Sequence, residues 1–484
     1  MVGRHVTVRV PDQLAAMFGI SLAIMLIAVD QTVVVTALPA ISRELGGLRW
    51  YSWIGTAYLL ASVIALLGFG RVGDQVGRHL IVVVAIGWFT LSSALCGVAN
   101  SIGMLAIMRF LQGVGEGMLL SSAFAVIADL FPDARERLKW QILVNAIYAT
   151  ATAVGPFLGG FLTQSYGWRA VFFINLPFGL VALWLTHRHL PRRSKSFPRM
   201  LERFDWPGIV LAGIVCAGLL LAIDRIATHG SDVWAAAILA TCVALAWILL
   251  RWELASTYPV LPVAVFQANG LAVLLMLSWL GGFALFSLLF YLPLLLQSGL
   301  GLSPQAAGAV LTPFAIFMPL GSILNGRIIA RMRDPKTVLK IGFFILAVAN
   351  LAVVAGFPAM STGMMTTMIA LLGIAFGFTL PGLTIIGQQL AGPTLVGVAT
   401  ASLQALRTVG GLIGVAVTGG LISLHHPAVT SSGVSTLNGI GAAAQGSLPH
   451  AIRFGLAAVC MASVAGLLIS SRVPTVSFDT ASHG

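Results

Sequence analysis

Apolar residues in this chain run in long, nearly unbroken stretches, about fourteen of them, separated by short polar or Gly/Pro-containing connections. A stretch of ~20 apolar residues matches the hydrocarbon thickness of a bilayer. The pattern predicts spans near 14–40, 50–70, 80–99, 103–128, 140–163, 169–187, 206–224, 233–252, 268–297, 305–330, 337–357, 363–387, 395–424 and 449–470. Lipid leaves no partner for a free backbone amide, so each span is expected to be a helix. The first stretch is too long for a signal peptide, carries Asp30 and lacks a cleavage site, so it is expected to be a permanent span.

Composition strengthens this reading. Of 484 residues, 58% are hydrophobic and 9% charged, against about 25% charged in a soluble domain. The net charge of +12 would point to nucleic acid in a soluble protein, but its placement points elsewhere. With the N-terminus inside, 20 of the 27 Lys and Arg fall in inner segments and 5 in outer ones, leaving Arg109 and Arg407 within spans. That bias predicts cytoplasmic termini, an even number of spans and no nucleic-acid partner. Trp50, Trp53, Trp140, Trp168, Trp206, Trp234 and Trp252 fall at span ends, where aromatic belts sit. Cys96, Cys216, Cys242 and Cys460 lie singly in different spans, without metal-ligand spacing.

A weak repeat divides the chain. GFGRVGDQVGRHLIVV at 68–83 and NGRIIARMRDPKTVLKIG at 325–342 both re-enter an apolar helix from the inner side after a Gly-Arg and clustered charge. This predicts an N-terminal six-helix bundle at 1–190, a linker and two additional helices at 191–260, and a C-terminal six-helix bundle at 261–484. Such parallel repeats place a substrate site between the halves near the midplane. The basic linker at 187–205 is expected to be solvated and to touch anionic lipid. His425 and His426 lack a third ligand and are read as solvated, so no metal or other cofactor is expected.

An ionisable group within a span costs at least about 2.5–3.5 kcal/mol, which marks it as a functional candidate. Asp30 lies in span one, and Arg109, Gln112 and Glu116 share one face of span four. Helical rise puts Arg109 roughly 9 Å, Asp30 roughly 14 Å and Glu116 roughly 20 Å from the outer end. Two readings fit: an arginine–carboxylate pair that locks two helices, or carboxylates that exchange protons. Burial penalises a charged carboxylate and a nearby arginine favours it, so changing access to water can toggle one. Glu116, deeper and further from Arg109, is the carboxylate expected to hold a proton more readily. Arg407, in span thirteen, fits either the cavity or the inner interface. Asp224 and Glu253, at span ends, are read as solvated.

These motifs together resemble the major facilitator superfamily, specifically its fourteen-span drug:proton antiporter-2 branch. Asp30-Gln31-Thr32 with Ala37-Leu38-Pro39 is similar to that branch's first-helix motif. Gly70-Arg71-Val72-Gly73-Asp74-Gln75-Val76-Gly77-Arg78 resembles the superfamily's inner-loop motif, whose gating residues here are Gly70, Asp74, Gly77 and Arg78. Gln75 and His79 stand where basic residues are usual. Arg109 to Gly115 resembles the proton-coupling motif, with Glu116 where a small residue is commoner. Gly155-Pro156-Phe157-Leu158-Gly159-Gly160 is similar to the antiporter motif, through Gly155, Pro156, Gly159 and Gly160. Trp168-Arg169 with Phe173-Ile174-Asn175-Leu176-Pro177, Tyr291-Leu292-Pro293 and Gly301-Leu302-Ser303-Pro304 are also similar to the branch.

The resemblance implies an all-α integral membrane protein of the major facilitator fold: two six-helix bundles plus two additional transmembrane helices, 14 spans in all. It implies a monomeric multi-pass protein of a bacterial inner membrane, with membrane lipid, protons and a small lipophilic substrate as partners. The implied function is proton-coupled export of lipophilic cationic or zwitterionic compounds, through Asp30, Arg109, Gln112, Glu116 and Arg407. Apolar walls with 15 Met and 26 Phe in the chain suit promiscuous contact. An alternative on the same fold exports a lipid, a metabolite or an anionic product. An enzyme is disfavoured, because no metal cluster, Ser elbow or loop-facing acid pair is present in the sequence. The Gly-x-Gly run at 113–117 lies within a span and is no nucleotide loop.

Overall fold

A computed structural model describes residues 10–46, 50–131, 133–191, 205–230, 232–256, 270–329, 334, 336–357, 359–425 and 442–474. Within these bounds it describes all side chains but a few, chiefly at 70–76, at positions between 124 and 149, at 392–398 and at 442–447. Every regular element among the described residues is helical. The first half comprises α1 (Val10–Leu45), α2 (Tyr51–Val76), α3 (Arg78–Gly97), α4 (Ile102–Leu130) and α5 (Ala134–Tyr166), then the short α6 (Ala170–Phe173) and α7 (Asn175–His189). Next come α8 (Trp206–His229) and α9 (Val233–Ala255). The second half holds α10 (Leu271–Leu294), continued by a π-turn at Leu295–Gly299, then α11 (Pro304–Ile329), α12 (Lys336–Gly356), α13 (Thr362–His425) and α14 (Ala442–Ser470). Among the described residues 13 helical segments are long and apolar enough to cross a membrane, and α2 adds an apolar stretch at Tyr51–Leu66.

The 64 residues of α13 would reach about 96 Å if straight, three times the thickness of a hydrocarbon core. They are not straight. Gln388 Nε2 donates to Thr400 Oγ1 at 3.0 Å, whereas twelve residues along a straight helix span about 18 Å. The chain therefore reverses between these positions, giving two membrane-length segments, Thr362–Ala391 and Ser402–His425.

In the first half α1 packs on α5 and α7, and α4 is gripped by α2 and α3. In the second, α13 packs on α10, α11 and α12, with α14 against α12 and α10. α8 lies against α2, α13 and α9. Trp53 Nε1 donates to Asp224 Oδ1 at 3.2 Å, tying α2 to α8. Only 11% of the α9 span is covered by protein, so its apolar surface is left for lipid. Arg225 pairs with Asp232 at 2.6 Å. Asp232 also caps α9 through Ala235 N at 2.8 Å. The Arg225 hydrogen bond holds its carboxyl below the usual range.

Three expectations are corrected here. Glu253 is not solvated but buried, beside Asp205, whose side chain caps α8 and accepts from Trp252 Nε1 at 2.7 Å. Asp224 is half-buried rather than solvated and holds Trp53. Trp168 is no belt residue: it is 2% exposed, edge-on to Phe172 and covered by the Arg169 guanidinium at 4.2 Å.

The halves meet where α5 faces α11, α2 faces α13 and α1 faces α10. Direct hydrogen bonds across the seam lie at the end where α1 finishes. Tyr51 Oη donates to Phe290 O at 2.8 Å. Gln297 Nε2 donates to Thr36 O at 3.0 Å. Gln305 N donates to Gln164 Oε1 at 3.3 Å.

Candidate functional site

Four of the polar residues that share a membrane depth in the sequence sit in or beside one buried cluster. Asp30, on α1, is fully buried, as are Arg109 and Gln112 on α4. Arg109 Nη1 donates to Asp30 Oδ2 at 2.7 Å and to Gln112 Oε1 at 2.8 Å. Gln112 Nε2 in turn donates to Asp30 Oδ1 at 2.9 Å. The spacing of three along α4 makes this triangle possible, because residues 109 and 112 stack on one face. Tyr58, on α2, covers the guanidinium, with Arg109 Cζ 3.9 Å from the ring centre.

A residue without an assigned role in the sequence completes the cluster. Asn175, at the start of α7, donates from Nδ2 to Asp30 Oδ1 at 2.9 Å and lies 3.0 Å from Ser93 Oγ. Ser93 is itself fixed by donating to Phe172 O at 2.9 Å. Asp30 thus accepts from an arginine and two amides, and both its oxygens are engaged. Ile174, between α6 and α7, keeps helical dihedrals, so Asn175 follows on the line of α6.

Glu116 stands one helical turn deeper on α4 and is 1% exposed. It does not join the triangle. Gln31 Nε2 donates to Glu116 Oε1, and Tyr148 Oη on α5 donates to Gln31 Oε1 at 3.1 Å. Ser62 and Tyr58 lie beside the Glu116 carboxylate, but Oε2 makes no direct hydrogen bond. The two carboxylates therefore differ in kind: Asp30 is saturated with donors and Glu116 is held at one oxygen.

Arg407 is apart from both, on α13 in the other half. Gly282 on α10 packs against its backbone carbonyl. The described group within electrostatic reach of its side chain is the Tyr148 hydroxyl across the seam. The side chain lies deep in the molecule yet keeps some accessible surface, so it fronts the space between the halves.

The antiporter-like residues line two packing faces of α5. A methyl group at Gly155 would run into Thr32 Oγ1, and one at Gly159 would come 2.7 Å from Val33 Cα, both on α1. One at Gly160 would come 2.9 Å from Gln305 Cα on α11, in the opposite half. Absence of a side chain is what permits these approaches. Helix α5 passes Pro156 without a break. The motif is a packing seam in this conformation.

Of the inner-loop residues, Gly70 and Asp74 lie outside the described side chains. Gly77 has φ of 111°, a conformation that favours glycine, and separates α2 from α3. Arg78 pairs with Asp129 at the end of α4, at 2.7 Å. Asp129 has no place in the sequence motifs. Its signal was an acid in the last turn of a helix, where the macrodipole disfavours it unless a base answers. His79 Nε2 lies 3.3 Å from His187 O, with the two rings 5.9 Å apart.

The family model of the Major Facilitator Superfamily matches residues 20–415. The chain belongs to that superfamily. It is 32% identical over 410 residues to the multidrug transporter protein MdtP of Bacillus subtilis (strain 168), covering 84% of this chain and 74% of that one. It is also 32% identical over 416 residues to the tetracenomycin C resistance and export protein of Streptomyces glaucescens, covering 84% and 75%. Among solved structures, a bacterial homolog to the human lysosomal transporter Spinster, inward-facing and occupied, superposes with a TM-score of 0.65 at 18% identity. That match covers 96% of this chain and 98% of the other, and shows the shared fold. This major facilitator protein is accordingly an all-helical, multi-pass membrane transporter, related to transporters named for multidrug or antibiotic resistance and not to enzymes.

Proposed function

We propose that this transporter exports lipophilic compounds in exchange for protons, through fourteen spans with both termini cytoplasmic, in a bacterial inner membrane. The observation that carries the reading is the pair of unlike buried carboxylates, Asp30 fixed by three donors and Glu116 held at one oxygen. Buried ionisable groups at membrane depth are costly and mark ion pathways. The names of the relatives support the drug-export class.

In this reading Asp30 and Arg109 form a permanent neutral pair that positions Gln112 and sets the local field. Glu116 binds a proton when the cavity is open to the outer side and loses it to the cytoplasm when the cavity opens inward. The halves, 1–190 and 261–484, rock about the central space. The pair α8–α9 rides on the flank. The Gly155–Gly160 seam, through Gly160, closes one end between the halves, and the Arg78–Asp129 contact steadies the other end of the N-terminal bundle. Each inward proton supplies ~2.3 kcal/mol per 100 mV and ~1.4 kcal/mol per pH unit. No cofactor is invoked beyond the coupling proton.

The test is made with purified protein in liposomes that hold a pH-sensitive dye, under an imposed pH gradient and with a panel of lipophilic compounds. Compound-triggered proton movement in the wild type, abolished in Glu116→Gln, is the expected result. Compound uptake that leaves the dye unchanged would overturn proton coupling.

A further inference from the structure

Arg407 presents a charge that nothing described in the protein answers. Its guanidinium stays protonated under all ordinary conditions. Leaving it unpaired at membrane depth is expensive unless water or a visiting counter-ion reaches it. No salt bridge or hydrogen bond engages its side chain among the described residues, whereas Arg109, more deeply buried, has an acid, an amide and an aromatic face. Its neighbour across the seam is the Tyr148 hydroxyl, and that hydroxyl is turned to Gln31. Gln31, Tyr148 and Arg407 each keep some exposed surface while lying deep in the molecule, so together they front the central space.

We propose that Arg407, with the Tyr148 hydroxyl opposite it, is the recognition point for an acidic group on the transported compound. The preferred cargo is then a lipophilic acid or zwitterion, and a permanent cation is disfavoured. This rests on the reading of the chain as an exporter and names the cargo of the same cavity. Guanidinium offers a planar fork of donors suited to a carboxylate. A fixed cation facing the cavity repels a second one. Asp30 offers a cationic group nothing, because its charge is already balanced by Arg109. Glu116 remains the one titratable acid near the cavity among the described residues, and it suits the cationic end of a zwitterion. Tyr148 has a single proton to donate. Turned to an acidic group, that proton is withdrawn from Gln31, which holds Glu116. Cargo at Arg407 thereby reaches the proton site through two side chains.

The experiment compares two probes with one skeleton: a tetramethylrhodamine with a free carboxylate, which is a zwitterion, and its methyl ester, a lipophilic cation. Binding to the full chain in lipid nanodiscs is read by fluorescence anisotropy. The wild type is expected to bind the acid roughly ten- to a hundred-fold tighter than the ester, the worth of one hydrogen bond to a charged group. Arg407→Ala should erase that difference by weakening the acid while leaving the ester bound at least as tightly, Arg407→Lys should retain part of it, and Tyr148→Phe should reduce it. Ester binding no weaker than that of the wild type in each variant reports an intact cavity. An acid bound no tighter than its ester by the wild type, or a preference that survives Arg407→Ala, overturns the proposal. Neither result depends on proton movement, so this test and that of proton coupling fail separately.

Discussion

Asp30 is held by three side chains from two separate helices, α4 and α7, and Asn175 is the most distant of them. Removing a donor from a buried carboxylate costs about 1–3 kcal/mol. Asn175→Ala is therefore expected to lower the thermal unfolding temperature in detergent by several degrees and to reduce transport. Asn175→Asp should be worse, since it sets a second acid against Asp30. An unchanged melting temperature in both would contradict the network. The Asp30–Arg109–Gln112 core was legible in the sequence, because charge in an apolar span is conspicuous and a spacing of three is helical. Asn175 was not, since a neutral amide in a span carries no such signal and its contact spans 145 positions. The separation of Glu116 from Arg109 was anticipated from depth, whereas its partner Gln31 was quoted only as part of a motif.

At the scale of the element, α5 shows one motif serving two neighbours. Gly159 faces α1 within its own half, and Gly160 faces α11 in the other. Substitution by valine should separate these roles. Gly159→Val is expected to destabilise the N-terminal bundle and lower the melting temperature. Gly160→Val should leave stability nearly unchanged but hold the end of α5 away from the start of α11, read as a longer distance between spin labels on the two helices. Equal effects of the two changes on both readouts would contradict this assignment. Helix existence was readable from apolar length alone. The reversal within α13 was anticipated only as a gap between spans; its helical character across the turn came with the structure. The repeat set α8 and α9 between the two halves of the sequence; the clasp between Trp53 and Asp224 was not readable, because an aspartate at a span end reads as solvated.

For the whole molecule, the hydrogen bonds between halves lie at the end where α1 finishes, and the Arg78–Asp129 contact lies at the opposite end, within the N-terminal bundle. The ion pair is half-exposed, so its worth to stability is about 0–1 kcal/mol, and its value lies in biasing orientation. Arg78→Asp should slow transport with little loss of stability, and the swap of Arg78→Asp with Asp129→Arg should restore part of the rate. A double variant slower than either single one would contradict a direct pairing. The central claim is the division of labour between the carboxylates, a fixed Asp30 and a proton-exchanging Glu116. It is tested most directly by infrared difference spectroscopy of the protein in lipid on acidification. The account predicts a protonated-carboxyl band that is present in the wild type and in Asp30→Asn and is lost in Glu116→Gln. A band lost in Asp30→Asn and kept in Glu116→Gln would contradict it.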